Sequence, residues 1–461
     1  MDSTLTDSAI RARFGETGDF IARELTCGGQ KIYAYMIDGL IAGATASETV
    51  FRPLARMEND TMEGLYRKAV EGSIYNNVVD DCADLETAVS KLVNGFCVVL
   101  FPGAGTVAYE VKSPEKRSVS SPTVENTVKG PKDAFTETVR TNTSLLRRHL
   151  RTADLRLYQT TVGTKTVTNV AVVWIEGVTE PELVRRMKKR LARIKTESFL
   201  SPAEVEEQVT GKRKTPFPLM QFTERTDKFA RGLLTGRVGL LVDGLPLGYL
   251  LPVDLGYLMT SPEDLGMDYL SASFVRILRY GALAVSLLLP ACYIALAMFH
   301  QQMIPLPLLR AIIESKASVP FSTAAEVLGL LLAFELLQEA GLHLPQSVGQ
   351  SVSIVGGIVI GTAAVEASLV SPAALIAVSL AGICGFALPN RDFAEALRLC
   401  RLMLTVVGVL AGLFGVTAGI IGLVIHLAGL TSLGESYLSP FSKGVKPDVL
   451  RNRNGEENET E

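Results

Sequence analysis

Side chains able to do covalent or metal chemistry are sparse and scattered in this chain of 461 residues. Its four histidines, His149, His300, His343 and His426, fall in no HExxH or other metal-ligand spacing. Gly211-Lys212 lacks the upstream glycine of a phosphate loop, and neither GxGxxG nor GxSxG occurs. The cysteines Cys27, Cys82, Cys97, Cys292, Cys384 and Cys400 form no CxxC pair, which argues against a zinc site or a disulfide framework and fits a reducing compartment. The expectation is therefore no enzyme, no catalytic residue, no metal and no cofactor. With 45 basic and 48 acidic residues and a net charge of −3, the chain carries no electrostatic footprint for nucleic acid.

The remaining chemistry is electrostatic and lies where charge is rare. Residues 280–442 hold only 13 of the 93 charged residues. Among the 13 is Glu366, inside the apolar run 352–370, where a carboxylate is tolerated mainly on a bundle interior or a wet cavity. Gly357 and Gly361 lie on that run. Gly408, Gly412, Gly415, Gly419 and Gly422 recur at spacings of four, three, four and three, which puts them on one stripe of a continuous helix. Such stripes serve either packing within one chain or a subunit interface or pore lining.

Those residues need membrane helices to position them. Residues 280–298 carry no charge over about the length that spans a bilayer, with Pro290 as a kink and Arg276 and Arg279 marking the cytoplasmic flank. Residues 352–370, 373–388 and 402–425 are further expected spans. Residues 322–344, apolar but holding Glu326, Glu335 and Glu339, are a fifth span, a re-entrant piece or an interfacial helix. Five spans leave the segment after the last one outside, and four leave Arg391, Arg398 and Arg401 outside, so the charge rule settles neither. The first thirty residues have no apolar core, so no signal peptide is expected and the N-terminal region is placed in the cytoplasm.

That region reads as mixed α/β (α+β) in two lobes, followed by an α-helical multi-pass membrane domain. The expected boundaries are 1–112 for the first lobe, 113–128 for a Ser/Pro/Val-rich linker, 129–279 for the second lobe, 280–430 for the membrane domain and 431–461 for a polar, partly disordered tail. Strands are expected at 31–38, 96–101 and 107–112, and hairpins at 157–176 and 237–251, the last turning in type I′ at Asp243-Gly244. Residues 181–194 predict a helix with Leu183, Val184, Met187, Leu191 and Ile194 on one face and six cations, with Lys195 just beyond, on the other, a face for solvent or anionic headgroups.

An ordered series of motifs runs from about residue 120 to 390. It begins with Gly130-Pro131, Phe135, Glu137, Arg140, Asn142 and Arg147, read as a helix starting at Pro131 with its arginines off the packed face. Glu224, Arg225 and Asp227 follow, then Arg237 with Asp243-Gly244, then Ser261-Pro262-Glu263-Asp264, and finally Gly361 to Val365. The set resembles the GerA family, the A-subunits of bacterial spore germination receptors; Thr226 stands where that family usually has proline.

The resemblance implies a nutrient-sensing receptor subunit in the spore inner membrane. Its implied partners are a multi-pass, transporter-like B-subunit, a lipoprotein C-subunit and further copies of itself. It also implies an ion path. In that reading Gly357, Ile360, Gly361, Val365 and Glu366 line a pore, with Ile360 and Val365 as an apolar constriction and Glu366 attracting cations. Otherwise Glu366 is a buried carboxylate bonded to a neighbouring helix. The alternative function is a membrane-tethered scaffold or a sporulation-type relative without a nutrient-gated pore.

Overall fold

The computed structural model describes residues 5–58, 60–72, 74, 78–112, 122, 125, 130–211, 214–342 and 361–438. Contacts divide the chain into two compact units, Met1–Arg213 with Met220–Pro252, and Lys214–Leu219 with Val253–Glu461.

In the first unit, period-two and fully apolar runs make two five-stranded antiparallel sheets. Helix α1 (Asp7–Phe14), capped by Thr6, leads into β1 (Phe20–Cys27) and β2 (Gln30–Ile37). Gly28 and Gly29, at φ 52° and 78°, supply the positive φ pair that a two-residue hairpin turn needs. Helix α2 (Met62–Val70), β3 (Val79–Asp81), α3 (Leu85–Val93), β4 (Phe96–Phe101) and β5 (Gly105–Glu110) complete the lobe, in strand order β1-β2-β4-β5-β3. Every β4 residue is buried because both sheet faces are covered. Cys97, Val99 and Phe101 pack toward Leu65 and Ala69 of α2, while Phe96, Val98 and Leu100 pack toward Phe14 of α1 and Leu92 of α3.

The second lobe repeats this plan. It contains α4 (Val139–His149), β6 (Leu155–Val162), β7 (Thr168–Ile175), α5 (Pro181–Leu191), α6 (Pro202–Thr210), β8 (Gln221–Thr223), α7 (Thr226–Leu234), β9 (Val238–Val242) and β10 (Gly248–Leu251). Its order β6-β7-β9-β10-β8 is that of the first sheet, strand for strand. The match extends to residues: Leu92, Gly95 and Gly103 correspond to Leu233, Gly236 and Gly244, each 141 positions on. Gly95 and Gly236 leave their helices at φ 83° and 87°, and Gly103 and Gly244 turn their hairpins at φ 79° and 85°. The two lobes thus follow one α-β-β-α-α-β-α-β-β plan, the second helix of the first lobe being the helical run 43–55.

Three local expectations are corrected here. No helix starts at Pro131; residues 131–138 are irregular or extended, and the helix begins at Val139. The Asp243-Gly244 turn is not type I′, because only Gly244 has positive φ and the strands are first paired at Leu241 and Gly248. Ile194 lies beyond the end of α5, although Leu183, Val184, Met187 and Leu191 are buried along it as the period requires.

The second unit is helical. It has α8 (Tyr269–Phe299), α9 (Leu306–Lys316), α10 (Thr323–Leu342), α11 (Pro372–Phe386) and α12 (Arg391–Gly429), followed by a two-stranded β11 (Thr431–Ser432) and β12 (Glu435–Ser436). By length and composition, α8 and α12 are the described helices able to cross a membrane.

Helix α12 is not one straight rod. Gly412 sits at φ 58°, ψ −143°, and the chain folds back there. Val416 then lies beside Gly408 and Leu404 beside Gly419, while Phe393 and His426, from opposite ends of α12, both meet Phe217. The single span expected at 402–425 is therefore a helical hairpin with arms of about 31 and 25 Å at 1.5 Å per residue. The five glycines do not share one stripe: Gly408, Gly415 and Gly419 face the closely packed interior of the hairpin, Gly412 is its tip, and Gly422 has no atom near it.

Contacts give the directions of the other helices. Ala374 of α11 meets Ile294 of α8, and Gly385 meets Ser286, so α11 runs antiparallel to α8. Helix α10 runs with α11, since Val327 joins Ala374 and Phe334 lies against Gly382. The first arm of α12 runs with α8, placing Gly408 at Ala291 and Gly412 at Phe299 and His300.

Candidate functional site

The motif residues of the N-terminal unit converge on one junction, and most of them are internal structure. Residues 133–135 run beside Glu224 and Arg225: Ala134 bridges Arg225, and the Phe135 N–H donates to the Glu224 carbonyl at 2.8 Å. Phe135 is buried edge-on against Phe229 at 5.3 Å, over Gly248, where any Cβ would collide with both rings. Gly130 (φ 145°), Pro131 and Glu137 are exposed. The Glu137 carbonyl accepts from the Gly244 N–H at 2.7 Å.

Asp243 caps α4 from another hairpin. Its Oδ1 accepts from the Val139 N–H at 2.9 Å, a role that Thr138 beside it does not fill. Asn142, fully buried, clamps the preceding segment with its amide: Oδ1 accepts from the Thr136 N–H and Nδ2 donates to the Thr136 carbonyl, both at 2.7 Å.

The arginines divide into two kinds. Arg140 is exposed and donates to Asp38. Arg147 was expected off the packed face, yet its side chain has no exposure. Its Nε and Nη2 donate to Asp19 at 2.8 and 2.9 Å, and Nη1 donates to the Thr152 carbonyl. Asp19, which no sequence pattern singled out, belongs to the first lobe, so the pair binds the two lobes. Arg225 forks onto Asp227 at 3.0 and 2.6 Å, and Arg237 donates to the Pro252 carbonyl.

Beside Arg225 lies a cluster that pattern reading missed. The Thr226 hydroxyl donates to Asp133 Oδ2 at 2.5 Å and meets His149 Nε2 at 3.0 Å, while Asp133 and His149 are 2.5 Å apart. The only signal was the polar Thr226 in place of an expected proline. Hydrogen bonding to Asp133 raises the His149 pKa despite burial, and the same bond, with that from Thr226, pushes Asp133 down to about 2. The His149 contribution to stability is complete below its ordinary value and is lost as pH rises through the raised one. The Asp133 contribution is lost as pH falls toward about 2. Unfolding followed by Trp174, the single tryptophan, is expected to show wild type losing about 1 kcal/mol more than His149→Ala between about pH 6 and pH 9.

In the helical unit, Gly357 and Ile360 lie outside the described residues. Gly361 is buried against Leu375, Val365 is half-buried and Glu366 is exposed, so Glu366 is not the buried, bonded carboxylate of the second expectation. The bonded carboxylates are others. Asp264 has no exposed side chain and accepts from Arg279 at 2.8 Å through both oxygens and from Arg276 at 3.2 Å. Burial would raise the Asp264 pKa, but Arg279 holds it below the usual range. Both arginines read as simple flanking charges are thus fixed at the start of α8. Glu335 of α10 pairs with Arg398 and with the buried Arg401, joining α10 to α12. Glu326, also unexposed, accepts the Ser371 N–H at 2.9 Å at the start of α11.

With this geometry in place, comparison with known proteins assigns the class. Residues 8–452 match the Bacillus/Clostridium GerA spore germination protein family, and the chain belongs to it. It is similar to spore germination protein KA of Bacillus subtilis (strain 168), 34% identical over 445 residues covering 95% of this chain and 82% of that protein. Spore germination protein A1 of the same organism is 36% identical over 380 residues, 80% of this chain and 79% of that protein. The uncharacterized membrane protein YfkQ, also from that strain, is 34% identical over 441 residues, 94% and 85% of the two chains. The crystal structure of the N-terminal domain of the A subunit of the Bacillus megaterium spore germinant receptor GerK3 aligns with a TM-score of 0.41 at 24% identity, covering 53% of this chain and 92% of that one.

Proposed function

We propose that this chain is the A-subunit of a nutrient-sensing spore germination receptor in the spore inner membrane, with its α/β unit in the cytoplasm. It assembles in several copies, beside a multi-pass B-subunit and a lipoprotein C-subunit, and forms or gates a cation path when nutrient binds. The family match over residues 8–452 carries the receptor reading. For conduction, the supporting observation is the exposed Glu366, set five residues before the buried N-cap of α11 at Ser371 and free to face water or another copy.

The α12 hairpin supports a specific topology. With the start of α8 on the cytoplasmic side, α10 and α11 return toward that side, and both ends of α12 lie there with Phe217. Arg391, Arg398, Arg401 and the chain after Gly429 then all stand on the cytoplasmic side, as the positive-inside rule asks. On this reading the hairpin crosses twice, and the conflict between four and five spans disappears.

The test is potassium release from spores with and without this chain, across a nutrient panel. Loss of release for some nutrients, restored by wild type, is expected. Glu366→Gln is expected to restore assembly but to cut cation flux and its selectivity. Unchanged release for every nutrient without the chain would favour a scaffold, and unchanged flux in Glu366→Gln would remove the carboxylate from the path.

A further inference from the structure

The two lobes of the N-terminal unit leave a cavity of about 320 Å³ where α3 and α4 both end. Its apolar wall is Leu40 and Val93. Its polar groups are Asn94 and Lys112 from the first lobe and Arg148 and Arg151 from the second, beside Arg147, whose guanidinium is held by Asp19; no carboxylate is among the lining residues. Lys112 is already paired with Glu110 at 2.6 Å. The other two cations are not neutralised. Among the described residues the Arg148 side chain makes no ion pair or hydrogen bond, and Arg151 reaches only neutral oxygens at 3.4 Å, the Arg148 carbonyl and the Asn94 side chain.

Arginines in the last turn of a helix ordinarily complement its dipole. Here Arg147 has been withdrawn into the interior by Asp19, and the Arg148 side chain bonds none of the terminal α4 carbonyls. What converges on the cavity is two guanidinium groups without a charged partner, each able to fork onto a carboxylate or phosphate, and a hydrocarbon wall opposite. The volume falls at the lower end of small-ligand pockets.

We propose that this cavity binds a small organic dianion. Its two acidic groups, carboxylate or phosphate, pair with Arg148 and Arg151, and its short hydrocarbon body lies on Leu40 and Val93. Because the walls come from both lobes, the ligand clamps them together, and it binds the folded unit in preference to the unfolded chain. The site differs in place and chemistry from the proposed ion path, and its test does not depend on any nutrient response.

The test uses the full chain in lipid nanodiscs at fixed ionic strength, with succinate and inorganic phosphate as probes and chloride as the control. Calorimetric titration and the thermal midpoint read by Trp174 report binding. Saturable succinate binding and a raised midpoint are expected, with phosphate weaker for want of a hydrocarbon body. Arg148→Gln and Arg151→Gln, both at exposed positions, are expected to keep the unliganded midpoint and each to weaken succinate binding about tenfold or more. Absence of binding by both probes would overturn the proposal, as would succinate affinity in either variant equal to that of wild type. Phosphate binding more tightly than succinate would overturn the role given to Leu40 and Val93.

Discussion

Arg147→Met is expected to destabilise the N-terminal unit by about 3–5 kcal/mol, the loss typical when one partner of a buried ion pair is removed. The side chains of Arg147 and Asp19 are 0% and 2% exposed and share two hydrogen bonds, so the substitution strands a carboxylate in the interior. Asp19 keeps the Thr17 hydroxyl as a donor, which limits the loss without cancelling it. Denaturant unfolding read by Trp174 measures the effect directly. The double variant Asp19→Asn with Arg147→Met is expected to recover about half of it, because the stranded charge is gone. A loss below about 1 kcal/mol in the single variant would mean that the lobes are held by their backbone contacts and not by this pair.

Gly412→Leu is expected to cost about 2–5 kcal/mol, combining a left-handed backbone that a side chain disfavours with overpacking at the hairpin tip. A Cβ there would stand 3.0 Å from Phe299 Cγ and 3.1 Å from His300 Cε1. Gly422, from the same series of glycines, has nothing within 4 Å of its Cβ position and ordinary helical φ, so Gly422→Ala is expected to be neutral or slightly stabilising. Thermal unfolding of the detergent-solubilised chain distinguishes the two. Equal effects at both positions would fit one straight helix with a uniform glycine stripe and would contradict the hairpin.

The contrast between these glycines shows where pattern reading stops. A spacing of four, three, four and three is correct geometry for a continuous helix, and nothing local to Gly412 announces that the helix breaks there. Glycine permits φ 58° without requiring it; the reversal is held by contacts between the two arms, Val416 beside Gly408 and Leu404 beside Gly419. The shared plan of the two lobes was not read from the sequence, although it leaves a trace there. Leu92-x-x-Gly95 and Leu233-x-x-Gly236, each followed by a fully buried strand and a glycine turn, repeat at a constant offset. Three matching positions are too few for motif reading to register as a repeat.

The amino-acid sequence by itself determined the division into a charged α/β part and an apolar helical part, because the hydrophobic period and the density of charge act locally. It also determined the family, because an ordered set of motifs is specific even when each one is short. Only the tertiary structure decided what those motif residues do. Asn142, Arg147, Arg225 and Asp243 look alike as polar positions in a signature, yet one clamps a loop, one is an interior ion pair, one forks onto its neighbour and one caps a distant helix. Their roles depend on partners up to 128 residues away in the chain. The burial that makes such a bond strong exists only once both lobes have closed around it.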